Sequence, residues 1–128
     1  MKRVWIVDDD EEMSRAVQLM LRLLECESRS FLGARPAAQA LLGGELPDLF
    51  VLDINMPEVS GLDLLEFLRR RSESKNVPVI VLSTEAADVT VDKALALGAD
   101  AYVTKPVAIE ELEKAMEKAF MAHGKSVE

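Results

Sequence analysis

Short, almost wholly apolar runs alternate along this chain with stretches in which apolar residues recur at every third or fourth position. Residues 3–7 form the first apolar run and predict a short buried strand. Met13, Ala16, Val17, Met20, Leu21 and Leu24 then mark one face of a helix. Residues 27–32 are extended in pattern but poor in apolar side chains, a weak strand. Pro36 suits the first turn of a second helix that covers residues 37–42 and stops at Gly43-Gly44. Residues 48–53 contain Leu49-Phe50-Val51-Leu52, the unbroken run that a strand covered on both faces requires. Leu62, Leu65 and Leu68 predict a third helix ending near Arg71, and Pro78 opens a fourth strand over residues 79–83. Residues 86–97 read as a helix closed by Gly98, residues 100–104 as a fifth strand. Ile109, Leu112, Met116, Ala119 and Phe120 are the stripe of a last helix, after which a tail from His123 to residue 128 reads as frayed.

Five strand–helix units with short links predict an α/β fold, a doubly wound, five-stranded parallel sheet with helices on both faces. The natural strand order for five such units is 2-1-3-4-5, the flavodoxin-like (βα)5 arrangement. The 128 residues suit one domain, expected over residues 1–122, with residues 123–128 as its tail. A hydrophobic share of 49% beside 30% charged residues is globular composition rather than disorder.

Charge and cysteine content narrow the function. A formal charge of −8 argues against general affinity for nucleic acid or anionic membranes. Arg69-Arg70-Arg71 is a local exception, and cations at a helix end complement its carbonyl dipole. The apolar runs are too short to cross a bilayer and no secretory h-region follows Met1, so a cytoplasmic location is the default expectation. Cys26 is the single cysteine, read as a bystander thiol, and the lone His123 is read as a solvated tail residue.

In a sheet of this kind ligands bind beyond the carboxyl ends of the strands, where strand order reverses. The first strand ends in Asp8-Asp9-Asp10, the third in Asp53, the fourth in Ser83-Thr84, and the fifth runs into Thr104-Lys105-Pro106. The first and third strands should be neighbours, so their carboxylates converge. Such a cluster either raises a pKa or holds a cation. Mg²⁺ fits, because it binds through a few carboxylates, water and phosphate oxygens. Lys105 adds a positive charge and Ser83 a hydroxyl, which completes a set of groups suited to phosphoryl transfer. Asp10 is read as a helix cap.

The segments Ile6-Val7-Asp8-Asp9-Asp10, Leu52-Asp53-Ile54-Asn55-Met56-Pro57 with Gly61, Val81-Leu82-Ser83, and Tyr102-Val103-Thr104-Lys105-Pro106 resemble the receiver domain of the response regulators of bacterial two-component systems. The resemblance runs over nearly the whole chain. It implies a phosphorylation-activated switch rather than an enzyme acting on an external substrate. It implies that Asp53 is the phosphoacceptor and that Asp8, Asp9, Asp53 and the backbone carbonyl of Asn55 hold Mg²⁺. Ser83 and Lys105 would contact the phosphoryl oxygens, and Tyr102 would be the aromatic coupled to Ser83. The Lys105–Pro106 peptide bond would be cis. Asn55 and Glu85 would flank the path of a hydrolytic water, an Asn and Glu pairing similar to that of the chemotaxis receiver. The implied partners are a sensor histidine kinase or phosphotransfer protein, and an output partner or effector domain on the face of the fourth helix, fifth strand and fifth helix.

Two positions depart from the pattern. Thr84 stands where the family usually has Ala or Gly, and Val107 follows Lys-Pro in place of the common Phe. The last helix, with Glu110, Glu111, Glu113 and Glu117, lacks a basic pattern. Both a stand-alone regulator and a receiver cut from a longer chain agree with this. Two rival readings are weaker. Asp8 and Asp10 have the spacing of a haloacid-dehalogenase phosphatase motif, but Glu11-Glu12 follow where that motif needs a Gly and a Thr or Val. A receiver fold reduced to an interaction module would be expected to lack an acid or the lysine, and the full set is here.

Overall fold

The computed structural model describes residues 1–56 and 60–125. Pro57 of the third-strand motif and tail residues 126–128 lie outside the described residues. Five strands alternate with five helices: β1 (Arg3–Val7), α1 (Glu11–Leu23), β2 (Glu27–Phe31), α2 (Ala34–Leu42), β3 (Leu49–Asp53), α3 (Gly61–Arg70), β4 (Val79–Ser83), α4 (Asp88–Ala96), β5 (Ala101–Thr104) and α5 (Ile109–Ala122). The strands form one sheet in the order β2-β1-β3-β4-β5, and every pairing is parallel. This is the expected architecture.

Alternate strand residues feed two cores, one on each face of the sheet. Trp5, Val7, Phe50, Leu52, Val79 and Val81 pack with Leu64, Leu65 and Leu68 of α3 and Ala37 and Leu41 of α2. Val4, Ile6, Leu49, Val51, Ile80 and Leu82 pack on the other face with Val17 and Leu21 of α1 and Leu112, Met116 and Phe120 of α5. The central strands β3 and β4 are buried at every position, which explains their unbroken apolar runs. The edge strand β2 is buried only at Phe31, so its pattern is weak. Arg29 of β2 lies over the rings of Trp5 and Phe31 and pairs with Glu45.

The structure differs from the sequence expectations in four places. Ala16 is exposed, and Ser14 takes the buried position one turn after Asp10. The second helix starts at Ala34, so Pro36 occupies its third position, where the backbone N–H has no intrahelical acceptor to lose. The fourth helix begins at Asp88 rather than at residue 86, with Ala87 as an extended N-cap. His123 is not solvated: its Nε2 lies 2.9 Å from Asp100 Oδ2, and its side chain is 17% exposed. Gly124, in the left-handed region, turns the chain so that the Lys125 N–H donates back to the Phe120 carbonyl. Cys26 is buried, and burial pushes its thiol pKa up. Among the described residues no helix is long and apolar enough to cross a membrane.

Candidate functional site

Three neighbouring strands end in the same local device. The Asp10 N–H donates to Asp8 Oδ1 at 2.9 Å, the Asn55 N–H to Asp53 Oδ1 at 2.9 Å, and the Glu85 N–H to Ser83 Oγ at 3.0 Å. In each turn a short polar side chain caps the backbone two residues on. The turn fixes that side chain over the carboxyl end of its strand, so Asp8, Asp53 and Ser83 sit in a row across β1, β3 and β4. All three are buried, with exposures of 0%, 2% and 0%. Asp10 caps α1 and accepts from the N–H groups of Glu12 and Met13.

Carboxylate oxygens of Asp8, Asp9 and Asp53 lie within 4.8 Å of one another. Lys105 reaches across from the end of β5, with Nζ 3.4 Å from Asp8 Oδ2 and 3.3 Å from Asp53 Oδ1. The Lys105–Pro106 bond is cis. Three carboxylates and one ammonium leave the pocket with net negative charge if all are ionised. The strain is visible at Asp8, whose pKa is pushed up to about 6. Burial is the main cause, with the charge of Asp53 adding to it against the Asp10 N–H and Lys105. An exposed acid, Asp9, beside two buried ones suits a hard cation that keeps some of its water. The residues present fit a divalent metal ion.

The remaining residues singled out from the sequence are close by but engaged. Ser83 Oγ donates to Asn55 Oδ1 at 3.0 Å. Thr84 gives the same oxygen its N–H at 3.0 Å and its hydroxyl at 3.4 Å. Glu85 turns its carboxylate toward α4 and accepts from Thr90 Oγ1 at 2.8 Å. Tyr102 donates its hydroxyl to the Glu85 carbonyl at 2.7 Å. In this arrangement the side chains of Asn55 and Glu85 are both tied within the protein. Thr90 and the hydroxyl of Thr84 are contacts that sequence reasoning missed, because nothing in local spacing distinguishes them from solvated threonines. Gly61 is explained by contact: a Cβ there would run into the backbone of Asp53 and Ile54. Val107 is buried in the core beneath α5.

Ligand groups at the carboxyl ends of β1, β3, β4 and β5, with acids facing one lysine, define a class of protein built for phosphoryl chemistry at a strand-end carboxylate. The sequence matches the response regulator receiver domain family over residues 4–117. The chemotaxis protein CheY of Pseudomonas aeruginosa is 31% identical over 118 residues, covering 92% of this chain and 95% of that protein. The phosphate regulon transcriptional regulatory protein PhoB of Rhizobium meliloti is 34% identical over 110 residues, covering 86% of this chain and 48% of PhoB. The solved structure of Vibrio cholerae chemotaxis protein CheY4 superposes with a TM-score of 0.84 at 28% identity, over 93% of this chain and 98% of that one.

The chain belongs to the response regulator receiver domain family, the phosphorylation-activated switches of two-component signalling. It spans about half the length of the curated transcriptional regulators it matches and nearly all of CheY.

Proposed function

We propose that this domain accepts a phosphoryl group on Asp53 from a phosphorylated histidine of a sensor kinase or phosphotransfer protein. The observation that carries the reading is the environment of Asp53: a buried carboxylate, Lys105 Nζ at 3.3 Å, and two further acids within 4.8 Å. Asp53 Oδ1 accepts from the Asn55 N–H and lies 3.3 Å from Lys105 Nζ, and a carboxylate oxygen of Asp53 attacks phosphorus. The new P–O bond forms as the P–N bond of the donor breaks, and the electron pair returns to the imidazole. Lys105 neutralises charge on the transferred group, and Ser83 offers a hydroxyl proton to one of its oxygens. Asp8, Asp9, Asp53 and the Asn55 carbonyl would hold Mg²⁺, which supplies charge neutralisation for the phosphoryl oxygens.

The chemistry ends at the domain's own acyl phosphate, with no external substrate turned over. The output surface is α4, β5 and α5, because the Ser83–Glu85 segment connects the phosphoryl site to α4 directly and to β5 through Tyr102. Asn55 and Glu85 flank the path of a hydrolytic water once their side chains leave the contacts described above. Intact mass after incubation with acetyl phosphate and Mg²⁺ tests the acceptor. One added phosphoryl group is expected on the parent and none on Asp53→Asn. Equal labelling of Asp53→Asn would move the site elsewhere.

A further inference from the structure

The carboxamide of Asn55 is on the surface, yet three donors converge on its Oδ1: Ser83 Oγ, Thr84 N and Thr84 Oγ1, at 3.0, 3.0 and 3.4 Å. The identity of that atom is fixed by its neighbours. A backbone N–H can only donate, so the atom it faces is the oxygen and not the nitrogen of the amide. Ser83 has one hydroxyl proton, and it is spent on Asn55, while the oxygen of the same hydroxyl accepts the Glu85 N–H.

A phosphoryl group on Asp53 changes the demand on that proton. Its oxygens are acceptors, so a bond from Ser83 must use the proton that Asn55 now holds. The two bonds exclude each other. We propose that the Asn55 side chain is a positioning latch, which holds Ser83 and Thr84 in the resting arrangement and must release them before Ser83 can serve the phosphoryl group. The inference rests on Asp53 being the acceptor. It gives Asn55 a role in setting the resting equilibrium, apart from its backbone carbonyl and from any water.

The latch is stronger in this chain than an Ala or Gly at position 84 would allow, because the Thr84 hydroxyl adds a donor that neither can supply. On the far side of the same segment Tyr102 holds the Glu85 carbonyl. Three consecutive residues are thus gripped by Asn55, just after β3, and by Tyr102 of β5, and only the Asn55 grip competes with the phosphoryl group for a proton. A domain held in this way binds a phosphoryl mimic with an affinity reduced by the fraction of molecules that are unlatched.

Truncation at an exposed side chain leaves no cavity, so Asn55→Ala should fold. The test is beryllofluoride binding at saturating Mg²⁺, read by ¹⁹F nuclear magnetic resonance, together with hydrogen exchange of the Thr84 amide in the unliganded protein. Asn55→Ala is expected to bind beryllofluoride roughly tenfold more tightly, the scale of one net hydrogen bond. Thr84→Val should shift affinity the same way by less, and the Thr84 amide should exchange faster in Asn55→Ala. Beryllofluoride bound by the parent but no more tightly by Asn55→Ala, or an unchanged Thr84 exchange rate, overturns the latch and leaves the acceptor assignment standing. No beryllofluoride bound by the parent, or equal binding by Asp53→Asn, overturns both readings together.

Discussion

At the scale of single residues, Asp8 and Gly61 make the sharpest predictions. A carboxyl group whose folded pKa is raised above 3.8 to about 6 favours the native state only while it is protonated. Between those two values the native protein holds a proton that the unfolded chain has lost. In metal-free solution the Asp8 contribution to stability therefore falls as pH rises from about 4 to about 6, by on the order of 2–3 kcal/mol. Denaturation of the parent and Asp8→Asn across that range in EDTA should give curves that diverge with pH, the variant becoming the more stable. Parallel curves would remove the argument. Gly61→Ala forces a methyl group against the Asp53 backbone and should cost about 1–3 kcal/mol in urea denaturation. Parental stability in that variant would contradict the close approach. Gly61 was read only as loop punctuation and within the family motif, while the acids and the lysine were legible in the sequence, because each closes a strand. The contacts of the Asn55 side chain were not. Its partners on the next strand end lie 28 and 29 residues away, and no local spacing reports them.

Among the elements, α4 is the loosest. It has no side-chain cap, Ala94 is its one buried residue, and Val89 is 80% exposed. The β-branched Val89, Thr90 and Val91 further weaken it as a helix. Little apolar burial opposes its unfolding, so its amides should be the least protected of the five helices in native-state hydrogen exchange. Phosphorylation of Asp53, or beryllofluoride in its place, should change the protection of residues 88–96. Unchanged protection there would detach α4 from the switch. The sequence placed the helix correctly but started it at residue 86, since Ala86 and Ala87 favour helix. The Thr84 N–H is taken by Asn55 and the Glu85 carbonyl by Tyr102, which draws the preceding backbone out of helical register. Long-range hydrogen bonds outweighed local propensity at this boundary, whereas β3 and β4 kept the limits that their apolar runs announce.

Across the whole molecule, a polar hub fastens the end of the sheet opposite the acids. Arg69, at the end of α3, donates to the carbonyls of Gly98, Val77 and Lys75 and pairs with Asp100 at 3.0 Å. Asp100 Oδ2 also accepts from the Val79 N–H and meets His123 of the α5 terminus. The hub ties α3, the entries to β4 and β5, and α5 together. Burial lowers the pKa of Arg69 while Asp100 opposes that shift, so the pair is partly desolvated yet compensated. Asp100→Ala would leave the guanidinium with its carbonyl partners but without a counter-charge, and the Val79 N–H without its acceptor. It should cost about 2–4 kcal/mol in chemical denaturation. Because the hub and the acids stand at opposite ends of the strands, the variant should still gain one phosphoryl group from acetyl phosphate at saturating Mg²⁺. Loss of labelling in a folded Asp100→Ala protein would show that the two ends are coupled. The Arg triplet was legible as the cationic end of a helix, which Arg69 and Arg70 form, but the hub was not: His123 read as solvated, and Asp100 lies 31 residues from Arg69 and 23 from His123.

The arrangement around Arg29 bears on how the protein behaves when it is concentrated. Strand β2 is an open edge, the feature through which folded domains most easily stick to one another. Its central side chain is a guanidinium held over Trp5 and Phe31. A second copy laid antiparallel on this edge about Arg29 would set one guanidinium against the other, in a chain that already carries a charge of −8 and repels its neighbours. The edge is guarded against sheet extension at its midpoint. Replacing Arg29 with Val would trade the guard for a β-former and uncover the indole beneath it. Light scattering at high protein concentration and raised temperature should then report faster aggregation than the parent, at a temperature where both remain folded.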